Sequence, residues 1–406
     1  MTQKKKPVLR FKGFTDDWEQ RKLGEMLEFR NGFNGSSEIY GGDTPLISVM
    51  DILNNNFITH DKILAHVCVD NNIKERFKIS YGDVLFQRSS ENYEDAGTSN
   101  VYIDRQNNAI FGGFVIAGKK LKEYDPICFK YLLDSKYVRN QIIRKAQGAQ
   151  HINVSQDTLQ NVAIYIPNME EQNKIGAYLH NIDHLITLHQ RKYEKLRNLK
   201  KFFLEKIFPQ NGKRVPEVRF AGFTGDWEQR KLGELAEFNP KASLPDSFEY
   251  VDLESVVGTR IINHRTEKKD SAPSRAQRLA QPGDVFYQTV RPYQRNNCLF
   301  TGAEKSYVFS TGYAQLRSHG DSYFLLTMLQ KDDFVNSVMD RCTGTSYPAI
   351  NSNELAEINV IFPTIIQEQK ELGQFFKNID NLITLHQRKL EKLQNLKKAA
   401  LDKMFV

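Results

Sequence analysis

The stretch TDDWEQRKLGE at Thr15–Glu25 returns as TGDWEQRKLGE at Thr224–Glu234. NIDHLITLHQRKYEKLRNLKKFFLEKIF at Asn181–Phe208 returns as NIDNLITLHQRKLEKLQNLKKAALDKMF at Asn378–Phe405. Each half of the chain opens with the first phrase and closes with the second. The two tryptophans, Trp18 and Trp227, sit in the opening copies. Between these bookends the halves diverge and differ in length. They share GDVLFQ from Gly82 with GDVFYQ from Gly283, and the apolar runs LQNVAIYIP from Leu159 and LAEINVIFP from Leu355. A pattern of this kind is a tandem of two modules with a common frame and different contents.

Each closing phrase reads as a long helix. Apolar residues recur at alternating steps of four and three, with Ile182, Ile186, His189 and Leu196 in the first copy and Ile379, Ile383, His386 and Leu393 in the second. No Gly or Pro interrupts either segment after Gly176 and Gly373; Pro167 and Pro363 stand upstream, and Pro209 stops the first helix. Such a helix is a rod of roughly 55 Å. Two matched stripes, one closing each module, predict that the helices pack on each other as an antiparallel coiled-coil spacer. An antiparallel pseudo-twofold would bring the midpoint residues His189 and His386 face to face. The frame divides the chain into a first module at 1–168, a central helix at 169–215, a second module at 216–363 and a closing helix at 364–406.

The chain of 406 residues is ample for two buried cores, and its 40% hydrophobic and 26% charged content is ordinary for a folded soluble protein. No apolar run is long enough to span a membrane, and MTQKKKPVLR lacks the apolar stretch of a signal peptide. Cys68, Cys128, Cys298 and Cys342 are widely spaced with no CxxC. That fits reduced thiols, a cytoplasmic location and no zinc site. The net charge of +7 leans toward a polyanionic partner.

The divergent middles carry polar loops rich in residues that read bases and phosphates. In the first module these are Gln87, Arg88, Ser89 and Ser90, followed by Arg144, Lys145, Gln150 and His151. In the second they are Arg275 and Arg278, then Gln288, Thr289, Arg291, Tyr293 and Arg295, then Thr343, Thr345 and Tyr347. Arg, Gln and Asn supply bidentate donors for guanine and adenine edges, and Ser, Thr and Tyr contact phosphates. In both modules one such loop directly follows the Gly-Asp-Val strand. Solvated polar loop is the bland alternative for any single residue.

Catalytic motifs are missing. GFVIAGKK at Gly113–Lys120 has the spacing of a phosphate-cradling loop, but Lys120 stands where a Ser or Thr must hold magnesium, so it reads as a strand and a basic turn. Pro245-Asp246 with Glu267 and Lys269 is a loose imitation of a nuclease metal site. His180 and His184 have chelating spacing, but the second copy has Lys377 and Asn381 there, so surface histidines are expected. No Asn-Pro-Pro-aromatic tetrapeptide exists, so an adenine methyltransferase centre is absent. No metal and no catalytic residue is assigned.

The two DWEQRKLGE phrases, the GDV strands, and the segments IPNMEEQNKIGAYLHNID and FPTIIQEQKELGQFFKNID leading into the long helices together resemble the specificity subunit of type I restriction–modification enzymes. The likeness covers essentially the whole chain. It implies an α+β architecture of two mixed α/β target recognition domains related by pseudo-twofold symmetry and joined by two long antiparallel helices. It implies double-stranded DNA as ligand, with each domain reading one half of an asymmetric split site. The partners implied are two methyltransferase subunits and the motor–nuclease restriction subunits. S-adenosylmethionine, ATP and magnesium would belong to those partners, and this chain would bind no cofactor. The alternatives are a free-standing bivalent DNA-binding regulator, an enzyme using the nuclease-like carboxylates, and a coiled-coil scaffold, the last disfavoured by the Arg/Gln-rich loops.

Overall fold

The computed structural model describes residues 6–35, 40–106, 108–148, 151–210, 212–302, 304–344 and 346–406. Gln150 and Thr345 lie outside the described residues. The chain divides into two compact units, one of Met1–Gln190 with Arg388–Val406 and the other of Arg191–Gln387.

The strands of the first unit are β1 (Glu19–Lys22), β2 (Leu27–Asn31), β3 (Tyr40–Ile47), β4 (His66–Val67), β5 (Val84–Gln87), β6 (Ser89–Ser90), β7 (Ser99–Val101), β8 (Ile110–Phe111), β9 (Val115–Lys120), β10 (Ile152–Asn153) and β11 (Ala163–Ile166). They form an antiparallel sheet ordered β2-β9-β5-β7, a second sheet β4-β3-β8 with β3 parallel to β8, and the pairs β1-β11 and β6-β10. The second unit continues with β12 (Glu228–Lys231), β13 (Ala236–Phe238), β14 (Ser247–Val251), β15 (Val256–Val257), β16 (Arg260–Ile261), β17 (Arg265–Lys268), β18 (Ala276–Leu279), β19 (Asp284–Gln288), β20 (Cys298–Leu299), β21 (Tyr307–Ser310), β22 (Tyr313–Ser318) and β23 (Asn359–Phe362). Its sheets are β13-β22-β19-β20 and β17-β14-β21-β18, with the pairs β12-β23 and β15-β16. The four-stranded antiparallel sheet carrying the GDV strand and the pair β1-β11 or β12-β23 are therefore built twice, while the second sheet has three strands in one unit and four in the other.

The GDV runs become the inner strands β5 and β19. Side chains alternate across a strand, and here both faces are covered. Val84 and Phe86 enter one core while Leu85 enters another; Val285 and Tyr287 divide from Phe286 in the same way. That is why these stretches are apolar throughout. The preceding Gly82 and Gly283 hold φ of 91° and 96°, a turn that favours glycine. Asp83 accepts from the amides of Ser80 and Lys120, and Asp284 from the Gln281 amide and the Arg317 guanidinium. The repeated Gly-Asp is a turn lock.

The opening phrase has a structural task. Its EQRK segment is β1 or β12, laid antiparallel on the apolar run that precedes each long helix. The buried Trp18 donates to Glu171 at 3.1 Å, and Arg10 grips the same carboxylate at 2.6 and 2.7 Å. Trp227 and Arg219 do the same for Glu368. Each buried glutamate lies in the first turn of a long helix, where negative charge is favoured.

Those helices run from Met169 to Lys206 and from Ile366 to Met404. Gly176 and Gly373 let them approach the capped ends of the helices Pro126–Asp134 and Ser322–Met328. A Cβ there would lie 2.5 Å from the Asp125 carboxylate or 2.1 Å from that of Asp321. Further along, Asp183 accepts from the Tyr131 hydroxyl at 2.6 Å and pairs with Lys397 at 2.6 Å. In the second unit Asp380 accepts from Tyr323 at 2.9 Å and pairs with Lys200 at 2.7 Å. Ile182 and Ile379 are buried; Ile186, His189, Leu196, Ile383, His386 and Leu393 are half-buried, since two helices alone cover only one side of a seam.

The residue numbers of each Asp–Lys pair add to the same total, which fixes an antiparallel register within each unit. By that rule His189 is level with Glu391 in the first unit, and His386 with Glu194 in the second. A 3.5-residue stripe fixes which face is buried but not the axial register.

Candidate nucleic-acid interface

In each unit the loop after the GDV strand is clasped by the loop that precedes the final short helix. In the second unit Val290 bridges Ala349, which also bridges Thr343, and Arg291 N donates to Pro348 O at 2.7 Å. Ile350 N donates to Thr289 O at 3.0 Å. In the first unit β6 pairs with β10, Gln147 bridges Asn153, and Val154 N donates to Arg88 O. Tyr93 closes the clasp by donating its hydroxyl to Gly148 O at 2.9 Å. The structure thus brings together the two loop groups that the sequence offered for the first module, and the second and third of the three it offered for the second.

Within the clasps the side chains divide into supports and exposed groups. Gln288 is buried, donating to Gln294 and accepting from the Asn296 amide. Thr289 is buried with its hydroxyl on Gly312 O. Gln87 and Ser90 are buried too, bonded to Ser89 O and to the Asn92 amide. Arg295 is consumed by Gln330 O at 3.1 Å and Asp332 at 2.6 Å. Arg278 is half-buried on β18, its guanidinium held below the ordinary value by burial. Gln87, Ser90, Gln288, Thr289 and Arg295, all nominated for DNA contact, thus hold bonds inside the protein, while Arg278 lies half-buried on β18.

What remains outward is different in the two units. The first presents Arg144 and Lys145 at the end of the helix Lys136–Lys145, with His151 exposed and Ser89 half-buried. Arg88 reaches Gly113 O at 3.3 Å. The second presents Tyr293, Thr343 and Tyr347, with Arg291 lying 4.3 Å over the Tyr347 ring. Arg275 is exposed, and its carbonyl accepts from Thr311 next to the Gly312 that holds Thr289.

Sequence reasoning missed Phe114, which is 72% exposed and whose carbonyl accepts from the Arg88 amide. GFVIAGKK was read as a strand, and Val115–Lys120 is one; the Gly-Gly pair before Phe114 was the available signal that this ring stands outside it. Glu267 is paired with Arg265, and among the described residues no cluster of metal-ligand type is present. His180 packs edge-on against Phe57. Among the described residues no helix is long and apolar enough to cross a membrane.

The sequence model of the type I restriction modification DNA specificity domain matches residues 15–198 and again 224–395. The chain belongs to that family. Type I specificity subunits are non-catalytic DNA-recognition components, and the absence of catalytic motifs agrees with that role. Similar sequences include the MjaVIII specificity subunit of Methanocaldococcus jannaschii, 20% identical, with 95% of this chain and 92% of that one covered. The EcoDI specificity subunit of Escherichia coli is 19% identical over 65% of this chain and 66% of its own length. The fold matches the type I S subunit structure from M. genitalium at a TM-score of 0.64, with 15% identity and 99% of each chain covered. As a specificity subunit with two copies of the domain, the chain has one DNA-target recognition domain within each match.

Proposed function

We propose that this subunit reads an asymmetric bipartite DNA target, each recognition domain reading one half-site through its clasped loops. One observation carries the reading: the same clasp recurs in both units while its outward side chains differ, Ser89 and His151 in one against Arg291, Tyr293 and Tyr347 in the other. A common frame with different contents gives two different half-sites. The long helices, each contributing to both units, set the unread gap between them.

The same helices dock two methyltransferase subunits, and the assembly recruits the motor–nuclease subunits in the cytoplasm. Leu185, Leu188 and Leu396 in the first unit and Leu199, Leu382 and Leu385 in the second support docking, since they are exposed apolar residues on paired helices. S-adenosylmethionine, ATP and magnesium act on the partner subunits. The test is methylation mapping in cells expressing this chain with its methyltransferase subunit. A split, asymmetric adenine-methylated motif is expected. A palindromic or uninterrupted motif would count against two different readers, and tight sequence-specific binding with no partner would favour a free-standing regulator.

A further inference from the structure

Among the described residues, the non-glycine positions with positive φ are Asn239, Arg291 and Arg295. Two of the three bracket one turn, Pro292–Gln294. A left-handed arginine persists only where its surroundings hold it, and such strain concentrates at working sites. Here the holders are visible. The Arg291 amide is bonded to Pro348 O, its neighbour Val290 bridges Ala349, and beneath them the buried Gln288 ties its amide group to Gln294 and Asn296.

The two arginines of this turn have opposite fates. Arg295 turns inward to Gln330 and Asp332. Arg291 pairs with no carboxylate among the described residues; its guanidinium rests over Tyr347, a ring 63% exposed. A cation over an aromatic face is held by the ring's quadrupole, which leaves the edge donors of the guanidinium unspent. A phosphate needs only a nearby positive charge. A strained backbone, a fixed loop and a ring underneath instead fix the direction of a planar fork, and a fork of that shape matches the O6 and N7 acceptors of guanine.

We infer that Arg291, held over Tyr347, is the specificity-determining contact to one guanine in the half-site read by the second domain, with Tyr347 as its positioning residue. The inference rests on the bipartite-target reading above. Arg295 is a structural brace that reads nothing.

The test uses the full subunit assembled with its methyltransferase partners and maps methylated motifs. R291A removes the fork, and R291N is the variant that keeps the fold, since Asn accepts left-handed backbone more readily. Both are expected to relax one G·C position of one half-site by roughly ten- to a hundred-fold, leaving the other half-site unchanged. Tyr347→Leu should loosen the same position, and Tyr347→Phe should restore it, a rescue that a merely space-filling residue would not require. Arg295→Ala should lower the melting temperature and leave the motif intact. Unchanged motifs in both Arg291 variants overturn the inference. So does a loss spread evenly over all sequences with a flatter salt dependence, which marks a phosphate contact. A wild-type assembly that marks no fixed split motif removes the parent reading instead, before any variant is compared.

Discussion

Lys397, near the end of the second long helix, donates to Asp183 of the first at 2.6 Å, on a carboxylate that also receives the Tyr131 hydroxyl. Lys200 stands in the same relation to Asp380 and Tyr323. Lys397→Met would leave Asp183 buried with one neutral donor. The expected loss is about 2–3 kcal/mol in urea unfolding, below the range for a fully buried pair because Lys397 keeps some solvent. Adding Asp183→Asn should recover much of it. A double-mutant cycle with coupling near zero would show that the pair does not hold the helices together.

Acid should loosen the second unit through Glu249. Its carboxylate is held down to about 2 from an ordinary 4.5, first by Lys305 and then by His264 and Thr266. A depressed carboxylate stabilises the fold fully above its unfolded value and loses that contribution as pH falls through the folded one. The window is therefore from about 4.5 down to about 2. Urea midpoints measured across it should fall more steeply for the wild type than for Glu249→Gln. Parallel curves would mean that other carboxylates carry the acid limb.

The termini offer a third test. Leu9 N donates to Lys403 O at 2.8 Å in the first unit, as Val218 N does to Lys206 O at 2.9 Å in the second. If Val406 were joined to Met1, as many residues would separate Lys403 from Leu9 as now separate Lys206 from Val218. A circular permutant joined there and opened between Asn211 and Gly212 should melt within a few degrees of wild type and mark the same motif. Failure of that chain to fold would argue that the two junctions are not equivalent.

Spacing is open to direct measurement. Seven residues inserted after Gln190 and seven after Gln387 leave both Asp–Lys pairs and the apolar stripe in place. The insert adds about 10 Å of helix, which corresponds to about three base pairs at roughly 3.4 Å each. The methylated motif should keep its bases and lengthen its gap by two or three. Persistent methylation with the gap unchanged would remove the helices as the ruler.

Much of the frame was legible because it is local or repeated. The helices lie where the stripe and the flanking prolines put them, and the GDV strands fall on the apolar runs. Lys200 and Lys397, four residues beyond Leu196 and Leu393, each pair with an aspartate on the other helix. Register was hidden for the same cause: it is set by such pairs between distant residues. The clasp was hidden too, since Val290 and Ala349 are joined only by folding. Composition could nominate Gln288 and Arg291 equally; only burial separates a brace from an outward side chain.

Each tryptophan lies edge-on to the phenylalanine just beyond the end of a long helix, Trp18 to Phe405 at 6.1 Å and Trp227 to Phe208 at 5.8 Å. Being alone in its unit and buried against a paired carboxylate, each is an intrinsic fluorescent reporter of that unit. Trp18→Phe leaves emission from the second unit, and Trp227→Phe leaves emission from the first. Two denaturation curves from one protein would then tell whether the halves melt together or in turn.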